Sequence, residues 1–328
     1  MHQLRVAFWN VENLFAAGAV DRGPQTEDEL EAKLGVLSDT IDSFFDGHGP
    51  DLLGLAEVGT ETELLRLRSQ LSAHYLHRWA PATRADQSGI GILARESVFS
   101  EVRTHDCDVD RPTAQARPRC VVARCDIKGV KVPFLLAVAH WKSGMVHPGA
   151  AITPAEDRRL SGRWLGDRLG KENDIPCAIV LGDFNEAPDG AAFRAPHLRG
   201  SRHFSPALRS MNTPAELYST AWRYMHEPDY FEKATVAGYQ EPRPKATHVS
   251  SHEALFDQLL VSGRALRGGP ISLREGTVIY HCDDRTSEHS PQGLLRPLRW
   301  SYRSTDGDSA GASDHLPLLA TFTVNKEM

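Results

Sequence analysis

Several features are scarce in this sequence, and each scarcity excludes a class of protein. The chain has only five cysteines, an odd number without a CxxC pair, which indicates reduced thiols rather than a disulfide framework or a zinc site. No apolar run approaches the ~20 residues of a membrane-spanning helix. Asn10, Glu12 and Asn13 interrupt the N-terminal apolar stretch, which argues against a signal peptide. We therefore expect a cytoplasmic protein without a membrane partner.

Internal repeats, low-complexity tracts and obvious linkers are also absent from the sequence. With 328 residues, 41% of them hydrophobic, the chain can bury a sizeable core. Strand-like apolar runs recur along the whole length, and helices separate only some of them. We predict a single domain over 1–328, of the α+β class, with two packed sheets.

Local signals place some elements more closely. N-terminal capping patterns predict helices that begin at Thr26, Thr60 and Thr153. The first should end at Gly47 and the second at about His74. Two apolar runs predict a hairpin around Lys128–Gly129. Residues 283–312 are rich in Ser, Arg, Asp and Gly, and we expect them to form a mobile loop.

The chain has fewer basic than acidic residues, and the basic residues are unevenly distributed. The net charge is −6, and residues 1–62 carry twelve acids against three bases. A globally acidic protein is a poor non-specific binder of nucleic acid. Residues 190–210, in contrast, contain no acid and four arginines: Arg194, Arg199, Arg202 and Arg209. This segment is either a solvated loop or a contact for a phosphate-bearing substrate.

The most informative stretch is a buried strand that ends in polar residues. The apolar run 177–181 leads into Gly182, which allows the backbone to turn or to approach a ligand closely, and then into Asp183 and Asn185. Asp183 and Asn185 are two positions apart, so an extended chain presents both on one side. The pattern fits an ordinary Asx turn as well as a functional site.

Other polar groups also stand at or near the ends of apolar strands. Glu57 is one example: an unpaired buried acid would cost several kcal/mol, so it needs solvent, a basic partner or a metal. The whole set comprises Asn10, Glu57, His140, Asp183, Asn185, Asp257, Asp314 and His315. Carboxylate and amide oxygens suit Mg²⁺ or Mn²⁺, and without a thiolate zinc is less favoured.

Six stretches together resemble the endonuclease/exonuclease/phosphatase superfamily, which includes pancreatic-type deoxyribonucleases, abasic-site endonucleases, neutral sphingomyelinases and inositol polyphosphate 5-phosphatases. They are Trp9-Asn10-Val11-Glu12-Asn13-Leu14-Phe15, Leu55-Ala56-Glu57-Val58, His140-Trp141-Lys142-Ser143, Gly182-Asp183-Phe184-Asn185, Phe256-Asp257-Gln258-Leu259 and Ser313-Asp314-His315-Leu316-Pro317. The resemblance implies a four-layer α/β/β/α sandwich of two mixed sheets with helices outside. One departure is a Tyr found in some nuclease branches, which has no clear counterpart between 117 and 139; this argues against a close match to abasic-site enzymes.

The resemblance also implies roles around a catalytic Mg²⁺, or else Mn²⁺. Asn10 and Glu57 would hold the metal, with Asp314 close by. Asp183 would orient and deprotonate the attacking water. Asn185 would hold the phosphate or that water.

The remaining implied roles concern the phosphate. His315 would donate to it as negative charge builds, and Asp257 would orient His315. His140 would contact the phosphate from the other side. Lys142 and Arg119 are weaker candidates for phosphate contacts, and each is better explained as an ordinary surface charge.

Three functions remain open at this point. The first is a Mg²⁺-dependent nuclease that cleaves DNA or RNA, with nucleic acid as the substrate. The second is a phosphatase or phosphodiesterase acting on inositol phosphates, phospholipid head groups or nucleotides; the net charge slightly favours a small substrate, while no basic amphipathic helix supports a lipid. The third is an inactive binding relative, which the complete set of polar groups argues against.

Overall fold

The computed structural model describes most of the chain, and the structural statements below concern this part alone. The described ranges are 2–81, 88–104, 120–145, 152–172, 174–194, 196–214, 216–224, 247–248, 254–289, 295–300 and 311–327. The phosphate candidate Arg119 lies outside them.

Strands and helices alternate irregularly along the described chain. In order they are β1 (His2–Leu14), α1 (Glu27–Gly47), β2 (Leu52–Val58), α2 (Glu61–Gln70), β3 (Tyr75–Ala80), β4 (Gly89–Arg95), β5 (Phe99–Thr104), β6 (Cys120–Ile127), β7 (Phe134–His140), α3 (Pro154–Lys171), β8 (Ala178–Asp183), β9 (Arg199–Ser201), α4 (Phe204–Arg209), β10 (Glu216–Ser219), β11 (Asp257–Ser262), α5 (Gly263–Leu266), β12 (Ile271–Leu273), β13 (Ile279–Tyr280), β14 (Ser287–His289), β15 (Leu295–Pro297) and β16 (Leu318–Val324). Short 3₁₀ helices cover Ala191–Phe193 and Thr220–Tyr224. None of these helices combines the length and apolar composition that crossing a bilayer requires.

Two mixed sheets contain most of the strands. The first has the order β12-β16-β1-β2-β4-β3, with β13 also paired to β16, and the second has the order β5-β6-β7-β8-β11-β10-β9. Parallel pairs occur in both, for example β1 with β2 and β7 with β8. The remaining strands, β14 and β15, form a separate antiparallel pair.

Three apolar clusters hold the layers together. The largest lies between the sheets and joins residues such as Phe8 and Leu52 of the first to Leu136 and Leu181 of the second. A second cluster packs α1 and α2 against the outer face of the first sheet. A third packs α3 against the outer face of the second sheet. The layers are therefore helix, sheet, sheet, helix, and the predicted fold class is confirmed.

The helices begin where the sequence signals predict. The Thr26 side chain accepts from Glu29 N, Thr60 and Glu63 form a complete capping box, and Thr153 accepts from Glu156 N. The predicted β6–β7 hairpin is also present. The second helix ends at Gln70 rather than near His74, since β3 begins at Tyr75.

Residues 283–312 were expected to form a mobile loop, and for the described part this is wrong. β14 and β15 lie in this range and pair from Ser287↔Pro297 to His289↔Leu295. Glu288 and Arg296 form an ion pair across the strands, with Arg296 Nη2 2.5 Å from Glu288 Oε1. Cross-strand pairing of opposite charges supports a hairpin whose composition alone looks like a loop.

Strand register brings polar residues to one end of the sandwich. In the second sheet His140 pairs with Asp183, and Asp183 pairs with Asp257 on its other side. A Cβ on the neighbouring Gly182 would lie 2.2 Å from the carbonyl oxygen of Ala139, so only glycine lets β8 pass β7 this closely. From the sequence we expected a turn or a close approach to a ligand at Gly182, whereas the close approach in the structure is to the backbone of the neighbouring strand.

Candidate active site

Asp183 is the centre of a polar cluster where the two sheets meet. Its side chain is only 1% exposed. One oxygen, Oδ2, accepts from Asn10 Nδ2 and from Asn185 Nδ2, each at 3.1 Å. The other, Oδ1, accepts from the backbone N–H of Asn185 at 2.9 Å. Donors from both sheets thus hold the carboxylate in one orientation.

Asn10 connects Asp183 to Glu57 by its amide group. Its Nδ2 also donates to Glu57 Oε1 at 3.2 Å, while its Oδ1 accepts from the Glu12 N–H at 3.1 Å. The second oxygen of Glu57 accepts from the Asn13 N–H at 2.8 Å. In this conformation Asn10 therefore presents its NH₂ rather than its carbonyl oxygen to the carboxylates, and it would have to turn its amide to coordinate a metal.

Two histidines flank Asp183. His140 Nε2 is 3.6 Å from Glu57 Oε1 and 3.9 Å from Asp183 Oδ2. His315 Nε2 is 3.7 Å from Asp183 Oδ2, and its Nδ1 is 2.9 Å from Asp257 Oδ2. Imidazoles from the two sheets therefore approach one carboxylate oxygen.

The His315–Asp257 pair is fully buried and holds a proton. Burial alone would lower the pKa of His315, but the carboxylates of Asp257, Asp183 and Asp314 raise it well above its usual value. Burial raises the pKa of Asp257, against the opposing effect of His315. With Asp257 accepting at Nδ1, the protonated imidazole directs its Nε2–H toward Asp183.

Backbone contacts fix the position of this pair. The N–H groups of Phe256 and Asp257 both donate to Thr247 Oγ1, at 2.9 and 3.1 Å, and the Leu316 N–H donates to the Thr247 carbonyl at 3.0 Å. Trp9 Nε1 donates to the His315 carbonyl at 2.9 Å. Thr247 and Trp9 thus tie the chain around His315 to both β11 and β1.

Two further residues contact this cluster, although the sequence analysis did not predict them as site residues. Glu12 is buried, and its carboxylate accepts from the Asp314 N–H at 3.0 Å and from Arg299 Nε. Arg299 Nη2 is also 3.7 Å from Asp314 Oδ2. Glu12 could have been noticed as a second acid within the apolar end of β1, but Arg299 lies in a polar segment without periodicity.

His248 is the third residue that sequence reasoning missed. Its Nε2 is 3.5 Å from Asp314 Oδ2, and its ring centroid is 4.6 Å from that of His315. It lies just after a stretch of low periodicity, and nothing in the sequence near it marks a functional residue.

Lys33 is a fully buried lysine beneath the same cluster. It extends from α1, and its Nζ donates to the Glu12 carbonyl. Burial lowers the pKa of Lys33 to about 8, against the opposing effects of Glu12, Asp314 and Glu57. The folded chain thus holds this proton less tightly than the unfolded chain does.

This depressed pKa predicts a rise in stability at alkaline pH. Between pH 8 and 10.5 the unfolded chain binds more protons at Lys33 than the folded chain, so the free energy of unfolding gains a contribution that increases with pH. At 1.36 kcal/mol per pKa unit the gain is about 3 kcal/mol. In urea unfolding across this range, the free energy of unfolding of the unchanged chain should rise with pH relative to that of the Lys33→Met variant. The control is Lys128→Met, which removes an exposed lysine that also donates to a carbonyl and should give no such difference. The prediction would be contradicted if the free energies of unfolding of Lys33→Met and the unchanged chain changed with pH in parallel.

Strained backbone marks the same cluster. Positive φ occurs at Glu12 (48°), Asn13 (51°), Glu57 (63°) and Asn185 (47°), and the other described non-glycine residues with positive φ are Phe45 and Asp46 at the end of α1. Such conformations cost of order 1–3 kcal/mol each and persist where surrounding contacts impose them. Here they direct the Glu57 and Asn185 side chains toward Asp183.

The donor set of the cluster fits a hard divalent cation. The available ligands are carboxylate oxygens and imidazole nitrogens, and Asp183, Asp257 and His315 each offer one atom within 4.8 Å of the others. His248, Asp314 and His315 meet the same criterion. Carboxylate oxygens and imidazole nitrogens both coordinate divalent metal ions, so either group could hold one.

All eight residues of the predicted strand-end set are thus connected through direct contacts. Lys142 follows closely after His140, and its carbonyl oxygen accepts from Arg158 Nη1 at 3.0 Å. Its role as a phosphate contact stays a prediction, as do the individual roles of the eight.

Comparisons with known proteins agree with this geometry. The sequence model described as the Endonuclease/Exonuclease/phosphatase family matches residues 7–315. Solved structures with a similar fold include the catalytic domain of human Nocturnin (19% identity, TM-score 0.56, 98% of this chain and 95% of that chain). Others are the Bacteroides thetaiotaomicron mannosyl-6-phosphatase Bt3783 (17%, 0.54, 98% and 99%) and D. rerio TDP2 complexed with a single-strand DNA product (16%, 0.52, 99% and 100%). No curated protein matches the chain in sequence.

Proposed function

The chain belongs to the endonuclease/exonuclease/phosphatase family, and we propose that it is a magnesium-dependent nuclease that hydrolyses phosphodiester bonds of DNA or RNA. Enzymes of this family are metal-dependent phosphoester hydrolases, and the chain is one of them. The nuclease activity would reside in one catalytic domain that spans 1–328. The observation that supports it best is the convergence of Asn10, His140 and His315 on Asp183 Oδ2 from two sheets.

The residues of the second sheet would activate water. Asp183 accepts the proton of a water molecule whose oxygen attacks phosphorus, and Asn185, which already donates to Asp183, keeps the carboxylate and the water in line. The new P–O bond forms as the bond to the leaving oxygen breaks, and that oxygen takes up a proton. When bound, Mg²⁺ or Mn²⁺, held by Glu57 with Asp314 and Asn10 beside it, would offset the negative charge of the phosphate.

The two histidines would stabilise the phosphoryl oxygens. His315 donates from Nε2 while Asp257 holds its Nδ1–H, which fixes the ring and its charge. His140 donates from the opposite side, near Glu57. These donors are held in place before the substrate arrives, so little reorganisation is needed during the reaction.

A polymeric substrate is favoured by the charges that follow Asn185. The acid-free segment 190–210 begins five residues after Asn185 and carries four arginines. D. rerio TDP2, which has the same fold, was solved with a single-strand DNA product. A phosphatase acting on a small phosphate monoester is the second candidate, because the mannosyl-6-phosphatase Bt3783 also shares the fold.

One pair of assays separates these functions. Purified protein is incubated with supercoiled plasmid and with single-stranded DNA and RNA oligonucleotides, in Mg²⁺ or Mn²⁺, with and without chelator. Phosphate release from mannose 6-phosphate and inositol phosphates is measured in parallel. Cleavage that chelator abolishes and added Mg²⁺ restores supports the nuclease. Phosphate release without cleavage contradicts it and supports the second candidate.

A further inference from the structure

We propose that a cleft beside the candidate active site binds one unpaired nucleotide of a single-stranded nucleic acid next to the bond that is cut. This inference rests on the proposed nuclease function and names a binding site and a substrate form for it. The cleft is formed by the segment after Asn185 together with Trp222, and it has a volume of about 350 Å³.

The walls of the cleft combine aromatic rings with cationic side chains. Phe193 and Trp222 line it, and so do Arg194, Arg202 and His203. This composition suits a nucleotide, because the Arg202 guanidinium beside the Trp222 ring can stack on a base while the charges attract its phosphate. An apolar ligand would leave the cations unpaired, and a bare phosphate would leave the rings unused.

The arrangement of Arg202 gives the cleft a stacking platform. Its guanidinium carbon is 6.0 Å from the centroid of the Trp222 ring, and its Nε donates to His203 Nε2 at 3.0 Å. The arginine is exposed, so the guanidinium face turned away from Trp222 is open to a base. Arg194 is anchored separately, with Nη2 donating to the Asp189 carbonyl at 2.7 Å.

The position of the cleft ties it to the reaction. Pro188, which lines it, is three residues beyond Asn185, so the connecting chain spans at most about 11 Å. With a rise of about 3.4 Å per nucleotide, the cleft lies within a few nucleotides of the cluster around Asp183. The one acid in the lining, Asp189, is exposed.

The form of the substrate follows from the shape of the cleft. Bases within a duplex are paired and stacked, so they cannot enter a recess lined by rings and guanidinium groups. A base in a single strand, or at a frayed end, can be turned out into it. The same interactions accept any base, which makes the cleft a site without strong sequence preference.

The test compares Arg202→Glu with Arg267→Glu, which changes the charge equally at an exposed position outside both the cleft and the segment 190–210. Both variants and the unchanged chain are assayed in Mg²⁺ on a short single-stranded oligonucleotide and on bis(p-nitrophenyl) phosphate, a phosphodiester too small to span both sites. We expect Arg202→Glu to raise KM for the oligonucleotide about tenfold without changing kcat. The dependence of log affinity on log salt should become shallower by about 0.7. Hydrolysis of the small diester should be unchanged.

Trp222→Leu provides an independent check, since it removes the ring without changing charge and should also raise KM for the oligonucleotide. Equal KM values for Arg202→Glu and Arg267→Glu, with the oligonucleotide still cleaved, would overturn this inference and leave the nuclease function unaffected. Hydrolysis of the small diester without cleavage of any oligonucleotide would overturn both. Equal rates on single-stranded and fully duplex substrates would contradict the requirement for an unpaired base.

Discussion

Asp183→Asn is expected to lower kcat by about 10³-fold on any substrate of the enzyme, with little effect on KM. The substitution keeps the shape of the side chain, and Oδ1 can still accept from the Asn185 N–H. An amide, however, cannot take a proton from water at neutral pH. The loss therefore measures the contribution of the carboxylate as a base, and it should be equally large for an oligonucleotide and for bis(p-nitrophenyl) phosphate.

The control for this substitution is Asp167→Asn, which changes an exposed acid on α3 in the same way. It should leave kcat unchanged. Thermal unfolding of the Asp183→Asn variant should remain a single cooperative transition, which would show that the variant is folded. Full activity in the variant would exclude Asp183 as the base.

Asp257→Asn is expected to lower kcat by about 10²- to 10³-fold, although Asp257 contacts no substrate in the proposed mechanism. Its carboxylate accepts from His315 Nδ1 and raises the pKa of the imidazole, so a neutral amide in its place would leave an uncharged ring that stabilises the phosphoryl charge less well. Steady-state kinetics should show the change in kcat rather than in KM. Asp257 is therefore a positioning residue, and its effect should depend on His315.

A double-mutant cycle tests this dependence. If Asp257 acts through His315, adding Asp257→Asn to His315→Asn should cost little further activity. Asp283→Asn is the matched control: His281 Nε2 and Asp283 Oδ2 are 3.1 Å apart, the same kind of pair outside the cluster, and its loss should not affect kcat. Additive effects of the substitutions at 257 and 315 would show that Asp257 has a role independent of the imidazole.

Local patterns in the sequence predict much of the fold because strand and helix signals depend only on residues that are close together in the chain. Apolar runs gave the central strands, and Thr60 with Glu63 gave a helix start that the structure reproduces as a capping box. The same logic singled out Asp257, since an acid inside an apolar run needs a partner, and its partner is His315.

Such patterns could not predict contacts between residues that are distant in sequence, because these contacts depend on the topology of the sheets. Glu12 and Arg299 are 287 residues apart in sequence, and only the pairing of the sheets brings them together. His248 meets Asp314 and His315 through an isolated bridge between two irregular segments. The β14–β15 hairpin has a loop-like composition. We did not predict it from the sequence because an ion pair across its strands stabilises it, and it lacks the alternation of apolar residues that predicts a strand.

The place of β16 in the first sheet has a consequence for the timing of activity. Among the described strands β16 is an inner one, between β1 and β12, and Asp314 and His315 lie shortly before it in the chain. Until synthesis reaches it, β1 keeps an open edge and the histidine has no fixed position. A chain that stops before Asp314 therefore carries Asp183 and Glu57 without His315, so under the proposed mechanism hydrolysis requires synthesis to pass this strand.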